Sequence, residues 1–257
     1  MGEESVTDDD PAEALDPAVE WKLRAWAVPA ALVIACLFNR SGTGHMIQRT
    51  FLTMIPHELG HAITGWWCGF TAVPGLWKTI IPEVRSTIAP VVIAGLELGL
   101  AYVGWRTERL WWVVIALALG ALQFVGMTAR VETAQLAITF GGDGGAMVIG
   151  TLLVLTFFAP DGSKFRHGAL RWGLLCIGAA AFVDTASTWW RARTDVDVIP
   201  FGEIEGVGLS DPSKLAEAGW SPHLITARYL TLAGVCLAVI LGVWVWQTWT
   251  MRQRSRE

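Results

Sequence analysis

The sequence predicts an all-α fold, a polytopic membrane bundle of six or seven transmembrane helices. Hydrophobic residues make up 53% of the 257 residues and charged residues only 16%, whereas a soluble domain carries nearer a quarter charged residues. The apolar residues form blocks of about 14 to 26 residues, separated by short charged stretches. No loop is long enough to build a soluble core, so we expect one membrane domain.

The chain opens with an acidic segment. Residues 1–20 hold eight acidic side chains and no basic one. This composition predicts a solvated, disordered tail over 1–20, followed by the membrane domain over 21–257. The charge is opposite to that of a secretory signal peptide, so we expect the first apolar block to be retained.

The apolar blocks define the candidate membrane segments. The fifth of them, 144–159, is short, and it either extends backward through 134–140 or is partly re-entrant. Two loops have content beyond connection: 71–86 contains two prolines and a glycine and could dip towards the membrane, and 191–223 is polar and rich in turn residues. Lys and Arg are balanced between the two sides, so the positive-inside rule does not orient the chain. The segments are 25–39, 50–70, 87–105, 110–128, 144–159, 169–190 and 224–249.

Tryptophans stand at many block ends. The chain has 15 of them. Trp66, Trp67, Trp189 and Trp190 are among those that we expect at the membrane interface, where aromatic belts form.

The second segment carries the sequence His57-Glu58-Leu59-Gly60-His61. Positions i and i+4 of a helix share one face, so the two histidines can bind one metal ion. Glu58 is offset by one residue and can hold and deprotonate a metal-bound water. A Lewis acid together with a general base meets the requirements for hydrolysing an amide. The motif therefore predicts a zinc hydrolase with His57 and His61 as ligands and Glu58 as general base.

The motif lies inside an apolar run from Thr50 to Phe70. His57 is roughly 10 Å from one end of this run at the helical rise per residue. Ionisable groups at that depth are costly unless they are paired, solvated or bound to metal, and by default they are functional. Pro56 removes a backbone hydrogen bond just ahead of the ligands, which predicts a kink or a fresh helix start. A hydrogen-bonded His–Glu pair facing the bundle is the alternative.

A catalytic zinc site needs a third protein ligand and an open fourth position. Asp143 is the first candidate, because four glycines around it predict irregular backbone beside a cavity. A helix N-cap is the other explanation for this aspartate. Asp184 is the alternate third ligand, since it is the clearest acid inside a later apolar block, and Glu97 is another possibility. Two further acids are expected to be solvated, Glu132 and Asp211.

An HExxH motif inside a membrane helix, with an Asp-Gly on a later one, resembles the site-2 protease (M50-type) family of intramembrane zinc metalloproteases, and most closely its small multi-pass members. The resemblance implies that membrane helices enclose zinc below the surface of the cell membrane. It also implies that His57, His61 and Asp143 are the ligands and Glu58 the base. The sequence departs from the family pattern in two respects: Gly-Asp-Gly lacks the usual preceding Leu or Asn-Pro, and two apolar segments separate the motifs.

We therefore expect a zinc metalloendopeptidase that hydrolyses peptide bonds of membrane-embedded or membrane-bound substrates. Its cofactor would be Zn²⁺, its partners a membrane protein or peptide and the lipid bilayer, with no nucleic acid. One alternative is a membrane zinc protease whose third ligand is a glutamate, Glu97 or Glu132. Another is a non-catalytic membrane binding protein or chaperone, which the intact Glu58 argues against because a scaffold needs no general base. A transporter that uses the histidines is a further alternative.

Overall fold

The structure is a computed structural model that describes residues 16–166, 168–204 and 208–254. The described chain is mostly helical, which confirms the prediction of an all-α membrane bundle. Six of its helices are long and apolar enough to cross a membrane, so the protein is a multi-pass membrane protein. The segment that carries the HExxH motif is also helical, but it is not among these six.

The elements follow one another with few extended segments. Two short antiparallel hairpins pair β1 with β2 and β3 with β4. The strands are β1 Val73–Pro74, β2 Thr79–Ile80, β3 Glu203–Ile204 and β4 Gly208–Leu209. The α-helices are α1 Pro17–Asn39, α2 Gly42–Ile47, α3 Met54–Trp67, α4 Ile88–Arg106, α5 Leu110–Thr128, α6 Val131–Leu155, α7 Gly168–Ala192, α8 Asp211–Glu217 and α9 Pro222–Arg254.

The membrane domain begins earlier than predicted. Helix α1 starts at Pro17, so residues 17–20 are helical and not part of a disordered tail. Glu20 is buried because its carboxylate forms ion pairs with three arginines, Arg24, Arg166 and Arg171. The rest of the predicted tail, 1–15, lies outside the described residues.

The fifth predicted segment extends backward and is not re-entrant. Helix α6 runs continuously over Val131–Leu155, so Asp143 lies in its middle and does not cap a helix. The expectation of irregular backbone around Asp143 is therefore wrong. The glycines of this stretch are α-helical, and their role is to let another helix approach.

Helix α3 crosses α6 at these glycines. A Cβ added to Gly60 would lie 2.7 Å from Cα of Gly145, closer than real Cβ contacts. A Cβ on Gly142 would lie 2.6 Å from Cε1 of both His57 and His61. Small residues permit such backbone contact between membrane helices. The crossing therefore presses the HExxH motif directly onto the turn that carries Asp143.

A π-helix precedes the motif. It spans Gln48–Thr53 and joins α2 to α3 without a break. Pro56 has no N–H to donate to the carbonyl of Leu52, so the regular hydrogen-bond ladder is interrupted there. The kink or fresh helix start predicted from Pro56 is therefore a π-helix that ends just before the motif. Single π-helical turns are frequent at functional sites.

Helices α6 and α7 are the most buried of the six spans, and α5 is the least buried. The main hydrophobic core joins α6 and α7 to α1 and α9. Its largest fully buried side chains are Trp189, Tyr229, Phe157, Met147 and Leu175. The hairpin of α4 and α5 contributes no residue to this core.

We predict that Gly145→Ala destabilises the protein, because its methyl group would collide with the backbone of Gly60. Overpacking of this kind costs about 1–3 kcal/mol. Gly99→Ala is the matched control, since nothing lies within 4 Å of a Cβ at that helical position. Thermal unfolding of the detergent-solubilised variants measures the difference. Equal unfolding temperatures would contradict the close crossing.

Candidate metal centre

Three potential ligand atoms converge at the end of the HExxH motif. Nε2 of His57 and Nε2 of His61 lie 3.2 Å apart. Oδ2 of Asp211 lies 2.9 Å from Nε2 of His61 and 3.3 Å from Nε2 of His57. Ligands placed tetrahedrally about 2.0–2.2 Å from zinc are about 3.3–3.6 Å from one another, which these separations approach. Among the described residues, these three form the only group of metal-binding type with such spacing.

The hydrogen bonds of the two imidazoles leave both Nε2 atoms free. Nδ1 of His61 lies 2.7 Å from the backbone oxygen of Ile138, which can only accept a hydrogen bond, so Nδ1 carries the proton. Nδ1 of His57 lies 2.9 Å from Oδ1 of Asp143 and donates in the same way. Partners of this kind fix the tautomer of metal-binding histidines.

This arrangement fits a bound cation. Nδ1 is the donor in each ring, so in the neutral form of each imidazole Nε2 carries a lone pair directed at the other Nε2 and at the carboxylate of Asp211. Three lone pairs so close together repel one another unless a positive charge lies among them. A single proton would bridge one pair of these atoms and leave the third without a partner, whereas a divalent ion satisfies all three. Imidazole and carboxylate donors with a fourth position open suit a catalytic zinc ion.

Asp211 comes from outside the membrane-spanning helices. It is the first residue of α8, where Ser210 caps the helix by accepting a hydrogen bond from the N–H of Ser213. Its side chain is only 17% exposed, so the expectation that Asp211 is solvated is wrong. Burial raises the pKa of Asp211, and positive charge beside its carboxylate, from protonated histidines, holds that pKa below the usual range. With the histidines neutral, a bound cation would supply the same positive charge to the carboxylate.

Asp143 lies behind His57 and not beside Nε2. Its carboxylate accepts hydrogen bonds from Nδ1 of His57 at 2.9 Å and from Nε1 of Trp189 at 2.9 Å, and it pairs with Arg49 at 3.1 Å. Three donors thus hold the carboxylate that orients the imidazole. Trp189 is fully buried in this role, so it packs inside the bundle and does not face lipid.

Asp184 belongs to a neighbouring charge cluster. It is fully buried in α7, where Nδ2 of Asn39 donates a hydrogen bond to it at 3.0 Å. Arg49 lies 3.6 Å from its second oxygen, and Nε2 of His45 lies 3.2 Å from its first. Arg49 therefore bridges Asp184 to Asp143, and each of these carboxylates also has a histidine partner, His45 and His57 respectively, as intramembrane acids require.

Glu58 is buried and lines the same cavity as the two histidines. The hydroxyl of Thr79, on β2, lies 2.7 Å from Oε2 of Glu58 and 2.8 Å from its backbone oxygen. The ionised carboxylate is the stronger acceptor, so we assign the hydroxyl proton to it. The loop 71–86, which the sequence marked for its prolines and glycine, thus reaches the site through a residue that the sequence did not single out.

The two glutamates considered as third ligands lie elsewhere. Glu97 is buried between α3 and α5, where Nε1 of Trp67 donates a hydrogen bond to it at 3.2 Å. Glu132 is exposed in the first turn of α6. Within the described residues, neither glutamate belongs to the group of ligand atoms around the two histidine Nε2 atoms.

The site opens into a cavity of about 700 Å³. One wall is the β1–β2 hairpin, and another is the segment that leads into α8. The cavity is large enough for a peptide segment, and ligand sites of this size are usual. Residues that line it include Met54, Trp77, Ile138, Val198, Pro200 and Leu209.

No protein-family model, curated protein or solved structure matches the chain. The resemblance to site-2 proteases therefore stays a prediction from the motif. The chemistry of the site has to be inferred from its own residues.

We predict that Asp211→Ala loses stoichiometric metal, as His57→Ala does, because each substitution removes one of the converging atoms. Asp143→Asn should retain metal with an affinity about 10- to 100-fold lower, the usual cost of losing an orienting partner. Asp197→Asn, which changes an exposed acid of the same loop, is the matched control. Metal analysis of the purified proteins after dialysis against a competing chelator provides the measurement. Retention by Asp211→Ala, with loss in an Asp143→Ala variant, would return the third ligand to Asp143.

Proposed function

We propose that the protein is a zinc metalloendopeptidase of the cell membrane that hydrolyses peptide bonds of membrane-embedded or membrane-bound substrates. The observation that carries the proposal is the convergence of His57, His61 and Asp211 at one end of a cavity that also holds Glu58. A metal-binding scaffold or transporter has no need of a buried general base at this point. The resemblance of the HExxH segment to site-2 proteases supports the same reaction.

In this proposal Asp211 is the third zinc ligand, and Asp143 orients His57. Bound zinc would polarise the scissile carbonyl and lower the pKa of a water at the open position. Arg49 forms an ion pair with Asp143, and Asp143 accepts a hydrogen bond from His57. These two interactions fix the ring of His57 before substrate arrives. Such fixed orientation makes the site ready for the reaction without rearrangement.

Glu58 serves as the general base. It accepts a proton from the attacking water and passes it to the amine nitrogen as the peptide bond breaks. The hydroxyl of Thr79 holds one carboxylate oxygen, which leaves the other free for this proton. Thr79 is therefore a positioning residue that links the hairpin to the chemistry.

The substrate must expose its backbone to reach this site. Peptide carbonyls inside a helix are already hydrogen-bonded and hidden, so a transmembrane substrate has to unwind near the cleavage point. Helix-breaking residues close to that point favour the extended form. The hairpin wall at 73–80 and the segment before α8 bound the space that an extended strand would occupy.

We predict that Glu58→Gln abolishes peptide hydrolysis but keeps bound metal, because the base is lost and the ligands are not. The test uses the full-length protein in lipid nanodiscs with single-span model peptides that contain Gly and Pro near one end. Mass spectrometry detects the cleavage products. Glu97→Gln is the control variant, since Glu97 is equally intramembrane but lies outside the cavity lining. Absence of zinc-dependent cleavage by the wild type across the peptide set would reject the proposal in favour of a binding protein.

We predict that Thr79→Val lowers kcat about tenfold or more, because Glu58 loses the hydroxyl that fixes it. Val has nearly the same shape as Thr, so hairpin packing is preserved. Thr79→Ser restores the hydroxyl and should recover most of kcat, with metal content unchanged in both variants. Equal rates for the Val and Ser variants would show that the hydroxyl does not act on Glu58.

A further inference from the structure

The mouth of the cavity has a different charge from its floor. The ionisable residues that line the cavity and are exposed are all basic: Lys78, Arg191 and Lys214. The acids that line it are buried or half-buried, Glu58, Asp143 and Asp211. We name the three basic residues the basic rim.

The basic rim is drawn from three separate elements. Lys78 lies in the β1–β2 hairpin, next to the threonine whose hydroxyl is 2.7 Å from Glu58. Lys214 lies on α8, with its amine 3.4 Å from Oδ1 of Asp211, the oxygen that does not face the histidines. Arg191 stands in the last turn of α7. Cations thus approach the proposed catalytic groups from several sides of the same opening.

Nearby acids leave most of this charge uncompensated. Lys78 and Arg191 form no ion pair or side-chain hydrogen bond within the part of the chain that the structure describes. Two exposed acids on the following loop, Asp195 and Asp197, do not line the cavity. The carboxylate of Asp195 is instead engaged by the N–H of Asp197. The rim therefore offers free positive charge to a bound molecule.

The rim lies at the end of a membrane span. Arg191 is in the last turn of α7, the span Gly168–Ala192, whereas Lys78 and Lys214 belong to the hairpin and α8, outside the spans. Exposed tryptophans accompany it, Trp77 in the hairpin and Trp190 beside Arg191, as is typical of the water–lipid interface. A substrate that enters the cavity from the membrane would pass its juxtamembrane residues across these cations.

We propose that the basic rim selects substrates with Asp or Glu residues next to the scissile bond, just outside the membrane-spanning part. The inference rests on the proposed function, because it names the substrate class of the same site. A peptide is favoured over an anionic lipid headgroup as the bound anion, since the rim borders a cavity of about 700 Å³ that is large enough for a peptide segment and that also holds the proposed catalytic groups. Opposite charge at the rim raises both affinity and association rate, in a salt-dependent way.

The test measures binding, not cleavage, in full-length protein carrying Glu58→Gln, in nanodiscs of zwitterionic lipid. Fluorescent single-span peptides differ only in four flanking residues, Asp in one peptide and Asn in the other. The Asp peptide should bind about fivefold or more tightly at low salt, and the preference should shrink as salt is raised. Lys78→Ala with Arg191→Ala should remove the preference. Arg106→Ala with Arg109→Ala, two exposed arginines where α4 ends and α5 begins, should keep it.

Equal binding of the two peptides, or an unchanged preference in the rim variant, would overturn the inference. So would rim-dependent capture of vesicles containing phosphatidylglycerol without any preference for the Asp peptide, because the rim would then recognise lipid. The proposed function fails separately. Charge-selective binding without zinc-dependent cleavage by the wild type would reject the proposed protease and support the role of the basic rim. Cleavage without charge selectivity would support the protease and reject the role of the basic rim.

Discussion

The contact between α3 and α6 at their glycines is the constraint on which the rest of the site depends. Side chains normally separate two helices, but here backbone meets backbone between Gly60 and Gly145. The approach allows the carbonyl of Ile138 and the carboxylate of Asp143 to reach the two histidine rings. These bonds determine which nitrogen of each ring faces the cavity. A wider crossing would remove both of these bonds and leave the imidazoles of the candidate metal centre without fixed orientations.

Charge compensation within the membrane follows from that contact. Asp143 is buried against His57, and its charge is balanced by Arg49, which the π-helix carries to it. Arg49 also approaches Asp184, which is fully buried, so the cluster contains two carboxylates and a guanidinium within the bundle. Such groups are costly unless paired. The irregular helix before Pro56 is therefore part of the electrostatics of the site, beyond its effect on helix direction.

Much of the fold was predictable because apolar blocks of membrane length are a strong signal. The HExxH motif likewise singled out His57, Glu58 and His61 by residue type and spacing alone. The start of α6 was hidden, because the glycines and polar residues that precede position 144 lower its hydropathy although they pack against α3. Asp211 was missed because its local sequence, Ser-Asp-Pro, is that of an ordinary helix start in a polar loop. Asp211 reaches the histidines only because the loop 191–223 folds back over the bundle. A contact between residues so far apart in the chain produces no local sequence pattern that could predict it.

The origin of Asp211 has a consequence for biogenesis. His57 and His61 emerge from the ribosome early, whereas residue 211 follows the insertion of α7. During most of synthesis the nascent protein therefore holds at most two of the three converging side chains. The proposed zinc site would therefore be completed only as the last span enters the bilayer. The proposed hydrolase, assembled in this order, would be inactive while its own unfinished helices, which are themselves membrane-embedded peptides, lie beside it.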